Sequence, residues 1–183
     1  MAGDLSHLVS ILILIHSIQK KKSAKGISLK TQVLYVIVFV TRYLDLFTTF
    51  ISVYNTLMKI FFIASSIYAV YLLKKYSSEI KENADIFPVQ YLLLGAAVCA
   101  LLFHYSFSPI ELLWSYSLWL ESVAILPQLF LLESKGEAEL LTIHYIFALG
   151  LYRALYIPNW FYRYFTEGRL DKLSIVTGII QTL

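Results

Sequence analysis

The chain has little cysteine and little charge, and each shortage excludes a class of protein. Cys99 is the only cysteine among 183 residues, so neither a disulfide framework nor a cysteine metal cluster is expected. Charged residues make up 15% of the sequence and hydrophobic residues 58%, a balance typical of a polytopic membrane protein and not of a soluble domain. The net charge of +3 is small, so it does not indicate nucleic-acid binding.

Motifs that carry catalysis are also missing from the sequence. It contains no HExxH pattern, no GxSxG elbow, no glycine-rich phosphate loop and no Cys/His pair. These patterns position the nucleophiles, metals and phosphates of common enzymes. We therefore expect no enzyme activity, and no metal or cofactor.

Long apolar runs dominate what is present. They fall at about 5–19, 31–50, 54–73, 86–104, 109–132 and 141–163, with a seventh from about 172. A membrane-spanning helix needs about 20 apolar residues, so the runs predict one all-α domain over residues 1–183 with seven transmembrane helices. The first run lacks a basic leader and a cleavage site, which favours a retained span. The seventh stops at Leu183, so we expect an incomplete last helix, with a tail absent from this chain.

Lysines indicate which loops face the cytosol. Five follow the first span and three follow the third, whereas the second and fourth connections carry no lysine or arginine. By the positive-inside rule, the N-terminus is then lumenal and the C-terminus cytosolic. The pairs Lys25-Gly26 and Lys135-Gly136 precede Arg42 and Arg153 at similar distances. This echo predicts two parallel three-helix repeats joined by a linking fourth helix.

Three of the four arginines lie in the apolar runs or at their ends: Arg42, Arg153 and Arg163. A charge in the bilayer interior costs roughly 2.5 kcal/mol or more, so such residues usually mark a functional site. In the sixth span Arg153, Tyr156, Trp160 and Arg163 are three or four residues apart and share one helical face.

The predicted directions of the spans bring further polar residues to the same side. Asp45 lies lumenal to Arg42, Glu111 and Trp114 lie near the lumenal end of the fifth span, Glu121 lies deeper, and His7 enters at the lumenal end of the first span. This pattern predicts a lumenal cavity with guanidinium groups at its floor and acids near its mouth. A peptide C-terminus fits it, because arginine binds a carboxylate bidentately. His7 is the candidate pH switch.

A plainer interpretation is that Arg42 with Asp45, or Arg153 with Glu121, forms a static buried pair that only sets helix register. A structural scaffold of this kind would lose stability, and nothing else, when its arginines are changed.

Several stretches closely resemble the KDEL receptor family, in its fungal-like form, over nearly the whole chain. They are GDLSHL at 3–8, KGISLKTQ at 25–32, TRYLDLF at 41–47, VYNTLMK at 53–59, WLESVAILPQLF at 119–130 and HYIFALGLYRALYIPNW at 144–160. Pro127-Gln128 also resembles the PQ-loop signature of the SWEET sugar-transporter fold.

The resemblance implies a receptor that binds the C-terminal Lys-Asp-Glu-Leu or His-Asp-Glu-Leu tetrapeptide of escaped ER-resident proteins in the acidic Golgi and returns them to the ER. It implies location in ER and Golgi membranes, contact with membrane lipid, and engagement of the COPI coat through the absent tail. It implies ligand contacts at Arg42, Tyr43, Asp45, Glu111, Trp114, Tyr152, Arg153, Tyr156, Asn159, Trp160 and Arg163. It also implies a proton sensor at His7 with Glu121, and a transport-linked acid at Asp171. The alternative is a SWEET-like transporter of small solutes.

Overall fold

The computed structural model describes residues 2–76, 85–135, 140–167 and 171–182, and every regular element within these ranges is helical. The α-helices are α1 Ala2–Lys21, α2 Leu29–Arg42, α3 Val53–Lys75, α4 Val89–Leu102, α5 Pro109–Val123, α6 Leu126–Lys135, α7 Leu140–Glu167 and α8 Lys172–Thr182, and a 3₁₀ helix covers Leu44–Phe47. Each predicted apolar run therefore contains helix, as its length and composition indicate.

Two of the predicted spans are interrupted. The second leaves α-helical geometry at Tyr43, whose φ and ψ are −102° and 25°, so Asp45 lies in the 3₁₀ helix and not one α-helical turn beyond Arg42. The fifth span is divided into α5 and α6 just before Pro127, a residue without an N–H to donate. The first interruption places a turn beside Arg42 and Asp45, and the second places one beside Pro127-Gln128.

Serine caps begin three of the helices. The side chains of Ser28, Ser52 and Ser108 accept hydrogen bonds from backbone N–H groups in the first turns of α2, α3 and α5, respectively. Such caps satisfy donors that a helix leaves without partners at its N-terminus. Each cap thus fixes the residue at which its helix begins.

The helices pack around one apolar core. Helix α3 packs against both α1 and α2, and α8 packs against both α5 and α7, while α1 contacts α7, α2 contacts α5, and α4 lies against α5. The buried side chains of this core include Leu14, Leu34, Val38, Phe39, Phe62, Leu73, Leu120, Tyr145 and Tyr152. The candidate site therefore lies where helices from both halves of the chain meet.

Two helical stretches of the described residues, Val53–Lys75 and Pro109–Ser134, are long and apolar enough to cross a membrane. The apolar helices over Val89–Leu102 and Lys172–Gln181 are shorter. Many large apolar side chains of α4 point away from the bundle, including Tyr91, Leu94 and Leu101. This all-helical structure with apolar outer surfaces is consistent with a helical membrane protein.

Gln128 joins distant segments at one end of the bundle. Its Oε1 accepts a hydrogen bond from the Ser28 N–H at 2.8 Å, and its Nε2 donates to the Gly26 carbonyl at 2.9 Å. The Ser28 hydroxyl in turn donates to Asp85 Oδ2 at 2.7 Å. The side chain of Gln128 is fully buried, so the amide gains these bonds without competition from water.

Gln128→Leu should lower the free energy of unfolding by about 2–3 kcal/mol, because it leaves a buried N–H and a partly buried carbonyl without their partner. Thermal unfolding of the detergent-solubilised protein would measure the loss. The matched control is Gln90→Leu, since Gln90 is exposed on α4. Equal stability of the two variants would contradict the structural role of Gln128.

Candidate functional site

Arg42 forms the centre of a buried polar cluster. Its Nη1 forms an ion pair with Glu121 Oε2, and its Nε donates to Ser117 Oγ at 3.1 Å. The side chains of Arg42 and Glu121 are only 17% and 4% exposed, respectively. The buried Nη2 of Arg42 has no hydrogen-bond partner among the described residues. The guanidinium thus keeps a donor that an added anion could bind.

Tyr152 connects Glu121 to His7. Its hydroxyl donates to Glu121 Oε1 at 2.9 Å and accepts a hydrogen bond from Gln181 Nε2 at 3.3 Å. The Tyr152 ring stacks on the His7 ring, with centroids 4.1 Å apart and planes 7° from parallel. Helices α1, α2, α5, α7 and α8 therefore each contribute a side chain to one polar cluster.

His7 is enclosed by aromatic rings. Besides Tyr152, it contacts Phe39 with centroids 5.4 Å apart and Phe62 with centroids 5.3 Å apart, and Tyr35 lies edge-on. Through the Tyr152 ring and hydroxyl, His7 is linked to the Glu121 carboxylate. A proton on His7 would change the electrostatic balance around the Arg42–Glu121 pair.

A second ion pair lies between the 3₁₀ helix and α3. Lys59 Nζ is 2.6 Å from Asp45 Oδ2 and 5.9 Å from the centroid of the Tyr43 ring. Lys59 was not among the residues predicted from the sequence. The sequence does carry a signal for it. Lys59 is the seventh residue of α3 and lies inside an apolar run, where burying a lysine is as costly as burying an arginine.

The observed pairing corrects one of the two pairs considered from sequence, and the other, Arg153 with Glu121, involves a side chain outside the described residues. Arg42 pairs with Glu121, and Asp45 pairs with Lys59, whereas the plainer interpretation joined Arg42 to Asp45. The physical reason is the end of α2 at Arg42, because an interrupted helix does not place Arg42 and Asp45 one α-helical turn apart on a common face.

Glu111 and Trp114 lie in the first half of α5, as expected. Glu111 is in the first turn, where a carboxylate is favoured by the helix dipole, and its buried Oε1 has no hydrogen-bond partner among the described residues. The Trp114 ring lies 6.4 Å from the Tyr105 ring, centroid to centroid. Both residues thus lie beside the connection between α4 and α5.

Asp171 caps helix α8. Its Oδ1 accepts hydrogen bonds from the Tyr105 hydroxyl at 2.8 Å and from the Ser174 N–H at 3.1 Å, and its Oδ2 accepts one from the Ser174 hydroxyl at 2.7 Å. Burial raises the pKa of Tyr105 above its ordinary value, and the hydrogen bond to Asp171 acts in the same direction, which keeps the phenol protonated as a donor. These contacts give Asp171 a structural role at the start of α8.

Helix α7 carries the remaining predicted ligand residues. It is continuous from Leu140 to Glu167, with Pro158 inside it, so its backbone has the helical periodicity on which the shared face depends. The side chains of Arg153, Asn159, Trp160 and Arg163 lie outside what the structure describes. Tyr156 is half-buried and meets the Tyr152 ring edge-on, with centroids 6.0 Å apart.

The described part of the chain holds no group of three or more His, Cys, Asp or Glu side chains placed to bind a metal ion. It does hold the buried guanidinium of Arg42 and its carboxylate partner Glu121. Glu121 also binds Tyr152, whose ring stacks on His7. This arrangement can exchange one carboxylate for another at Arg42, and protonation can bias the exchange.

Comparison with known proteins gives one consistent family. The family described as ER lumen protein retaining receptor matches residues 23–163. The ER lumen protein-retaining receptor of Kluyveromyces lactis is 57% identical over 189 residues, which cover 100% of this chain and 86% of the relative. That of Saccharomyces cerevisiae is 56% identical, covering 99% and 86%. ER lumen protein-retaining receptor 2 of Homo sapiens is 50% identical over 184 residues, covering 100% and 87%.

Proposed function

The chain belongs to the ER lumen protein-retaining receptor family, and from this premise we propose how it recognises the proteins it retains. It is a receptor of ER and Golgi membranes, and not an enzyme. The ligand is the C-terminal tetrapeptide of a soluble ER-resident protein, of the Lys-Asp-Glu-Leu or His-Asp-Glu-Leu type. The contact that best supports this proposal is the buried Arg42–Glu121 pair.

Arg42 captures the C-terminal carboxylate of the peptide, and Tyr43 borders the same position. Without ligand, the guanidinium is held by Glu121 and Ser117, while Nη2 has no described partner. A ligand carboxylate binds at this donor and takes the place of Glu121 on the guanidinium. The guanidinium is then paired in both states, which avoids the large cost of an unpaired buried charge.

The rest of the tetrapeptide extends from Arg42 towards the lumen. Its acidic side chains are held by Arg153 and Arg163, and its first residue is read by Asp45, Glu111 and Trp114. Glu111 supports this role because its carboxylate has a buried oxygen without a described partner. Four further residues of α7 complete the site: Tyr152, Tyr156, Asn159 and Trp160.

His7 sets the pH dependence. Among the described residues, the charged or titratable groups that face it directly or through Tyr152 include Tyr35, Tyr152, Glu121 and, through Glu121, Arg42. A proton on His7 adds positive charge beside Tyr152 and attracts Glu121. Glu121 then holds Arg42 less strongly, so Arg42 binds the ligand carboxylate more tightly in the acidic Golgi than in the ER.

The receptor is one seven-helix domain over residues 1–183, built from two parallel repeats. One repeat is α1, α2 and α3, the other is α5 with α6, α7 and α8, and α4 links them. The packing supports this division, because α3 contacts α1 and α2 as α8 contacts α5 and α7. A symmetry that exchanges the two repeats also exchanges the contact of α1 with α7 for that of α5 with α2, and both contacts are present. The same proposal relates this fold to that of the SWEET transporters. It also places the N-terminus in the lumen and the C-terminus in the cytosol.

Return to the ER requires partners on the cytosolic side. The COPI coat engages a tail that follows α8, and the outward-facing apolar side chains contact membrane lipid. Asp171 is the acid proposed to be linked to transport, and it acts through the start of α8, which it caps. A SWEET-like transporter of small solutes is not favoured, because the similar proteins are receptors.

Binding of peptides to the purified protein tests the proposal. A peptide ending in His-Asp-Glu-Leu should bind more tightly at pH about 6 than at about 7.4, across the titration of histidine. Its C-terminally amidated twin should not bind at either pH, because it lacks the carboxylate. Equal binding of the two peptides would contradict capture by Arg42, and failure of both would contradict the receptor site.

A further inference from the structure

Lys59 is a buried cation that the proposed ligand contacts leave out. Its side chain belongs to α3, only 7% of the residue is exposed, and its ammonium lies 2.6 Å from Asp45 Oδ2. The other carboxylate oxygen, Oδ1, is buried without a hydrogen-bond partner among the described residues. A lysine is seldom buried unless a carboxylate neutralises it, so the two residues depend on each other.

Asp45 therefore already binds one ammonium group. In the proposed function, the same carboxylate reads the first residue of the tetrapeptide, which is a lysine or a protonated histidine. The single charge of Asp45 neutralises only one ammonium group, and two such groups on one carboxylate would repel each other at close range. The ligand must share Asp45 through Oδ1 or displace Lys59.

We propose that Lys59 is a specificity residue that competes with the ligand for Asp45, and this inference rests on the proposed function. Without ligand, the Lys59 ammonium occupies the position that the cationic first residue of the tetrapeptide takes. Binding exchanges one cation for another, so Asp45 is neutralised throughout. A ligand with a neutral first residue cannot make the exchange and leaves Lys59 on Asp45.

The surroundings of Lys59 suit such an exchange. Tyr43 lies under the ammonium at 5.9 Å, and an aromatic ring stabilises a nearby cation when its carboxylate partner is lost. The Asp45 side chain is 33% exposed, so a ligand can reach it from solvent. Tyr43 directly follows Arg42 in the chain, so the displaced ammonium stays close to the position proposed for the ligand carboxylate.

Peptides that differ only in their first residue test the inference. Dissociation constants at pH about 7.4, where a free histidine is mostly neutral, would be measured for peptides ending in Lys-Asp-Glu-Leu and Ala-Asp-Glu-Leu. Lys59→Met keeps the length of the side chain and removes the competing charge. It should strengthen the preference for lysine over alanine about tenfold, a typical size for one close charge pair. Lys74→Met, an exposed lysine near the other end of α3, should leave the ratio unchanged.

Two results would overturn the inference. An equal loss of affinity for both peptides would make Lys59 a ligand for the acidic part of the peptide, and unchanged affinity for both would show that it does not compete for Asp45. If Lys59→Met fails to fold, the double variant Asp45→Asn/Lys59→Met removes both charges together. It should prefer lysine less than the unchanged protein does, since only Glu111 and Trp114 then read the first residue, and an undiminished preference would show that Asp45 does not read it. Failure of the unchanged protein to bind either peptide would refute the proposed function instead.

Discussion

Arg42→Ala should abolish binding of a His-Asp-Glu-Leu peptide at both acidic and neutral pH. The change removes the guanidinium that captures the C-terminal carboxylate, whose two charge-assisted hydrogen bonds contribute about 1.5–3 kcal/mol each. The expected loss of affinity is at least about a hundredfold. Isothermal titration calorimetry on the purified protein at pH about 6 and about 7.4 would measure it.

The control for this experiment must separate lost binding from lost folding. Removing Arg42 leaves the Glu121 carboxylate, which is 4% exposed, without its cation, and such a buried charge is destabilising. Arg42→Ala combined with Glu121→Gln avoids that charge and should fold, yet still fail to bind. Arg42→Lys should bind weakly, because an ammonium lacks the planar fork. Normal affinity in the double variant would remove Arg42 from the ligand site.

His7→Phe should flatten the pH dependence of binding. In the unchanged protein, a proton taken up by His7 in acid strengthens ligand binding, so affinity should be high in acid and fall as pH rises. One proton can change affinity about tenfold per pH unit. Phenylalanine keeps the ring that stacks on Tyr152 but cannot take up a proton. The dissociation constant of His7→Phe for a peptide ending in Lys-Asp-Glu-Leu, which has no histidine of its own, should be nearly constant from pH about 5.5 to 7.5.

A second histidine of the same helix provides the matched control. His16 lies on α1 and is exposed, so His16→Phe should keep the full pH dependence. A thermal-unfolding scan would check that His7→Phe remains folded around Phe39, Phe62 and Tyr152. Persistence of the steep pH dependence in folded His7→Phe would assign the switch to another group.

Much of the candidate site could be predicted because charge in an apolar run is unusual. Arg42, Glu121 and His7 each interrupt or border long apolar stretches, and the cost of burying them indicates function without any coordinates. The family resemblance, later confirmed by the comparisons, rested on sequence stretches alone. Lys59 also lies inside a long apolar run, so the cost of burying its charge could have indicated it in the same way.

Other features could not be predicted because they depend on how distant segments pack. Gln128 binds the loop before α2 from the start of α6, and Gln181 reaches Tyr152 from α8. Neither contact has a local sequence signal, since a polar side chain in a helix has many possible partners. The break after Arg42 was likewise hidden by the unbroken apolar run through it.

Helical structure, the positions of the apolar runs and the unusual charges all follow from the amino-acid sequence, because hydropathy and the cost of burying a charge depend on the local chain. The partners of these charges depend on how the helices pack: Glu121 for Arg42, Lys59 for Asp45, and Tyr152 between His7 and Glu121. The physical reason is that an ion pair forms between whichever side chains helix packing brings within a few ångströms. That packing is a property of the whole core.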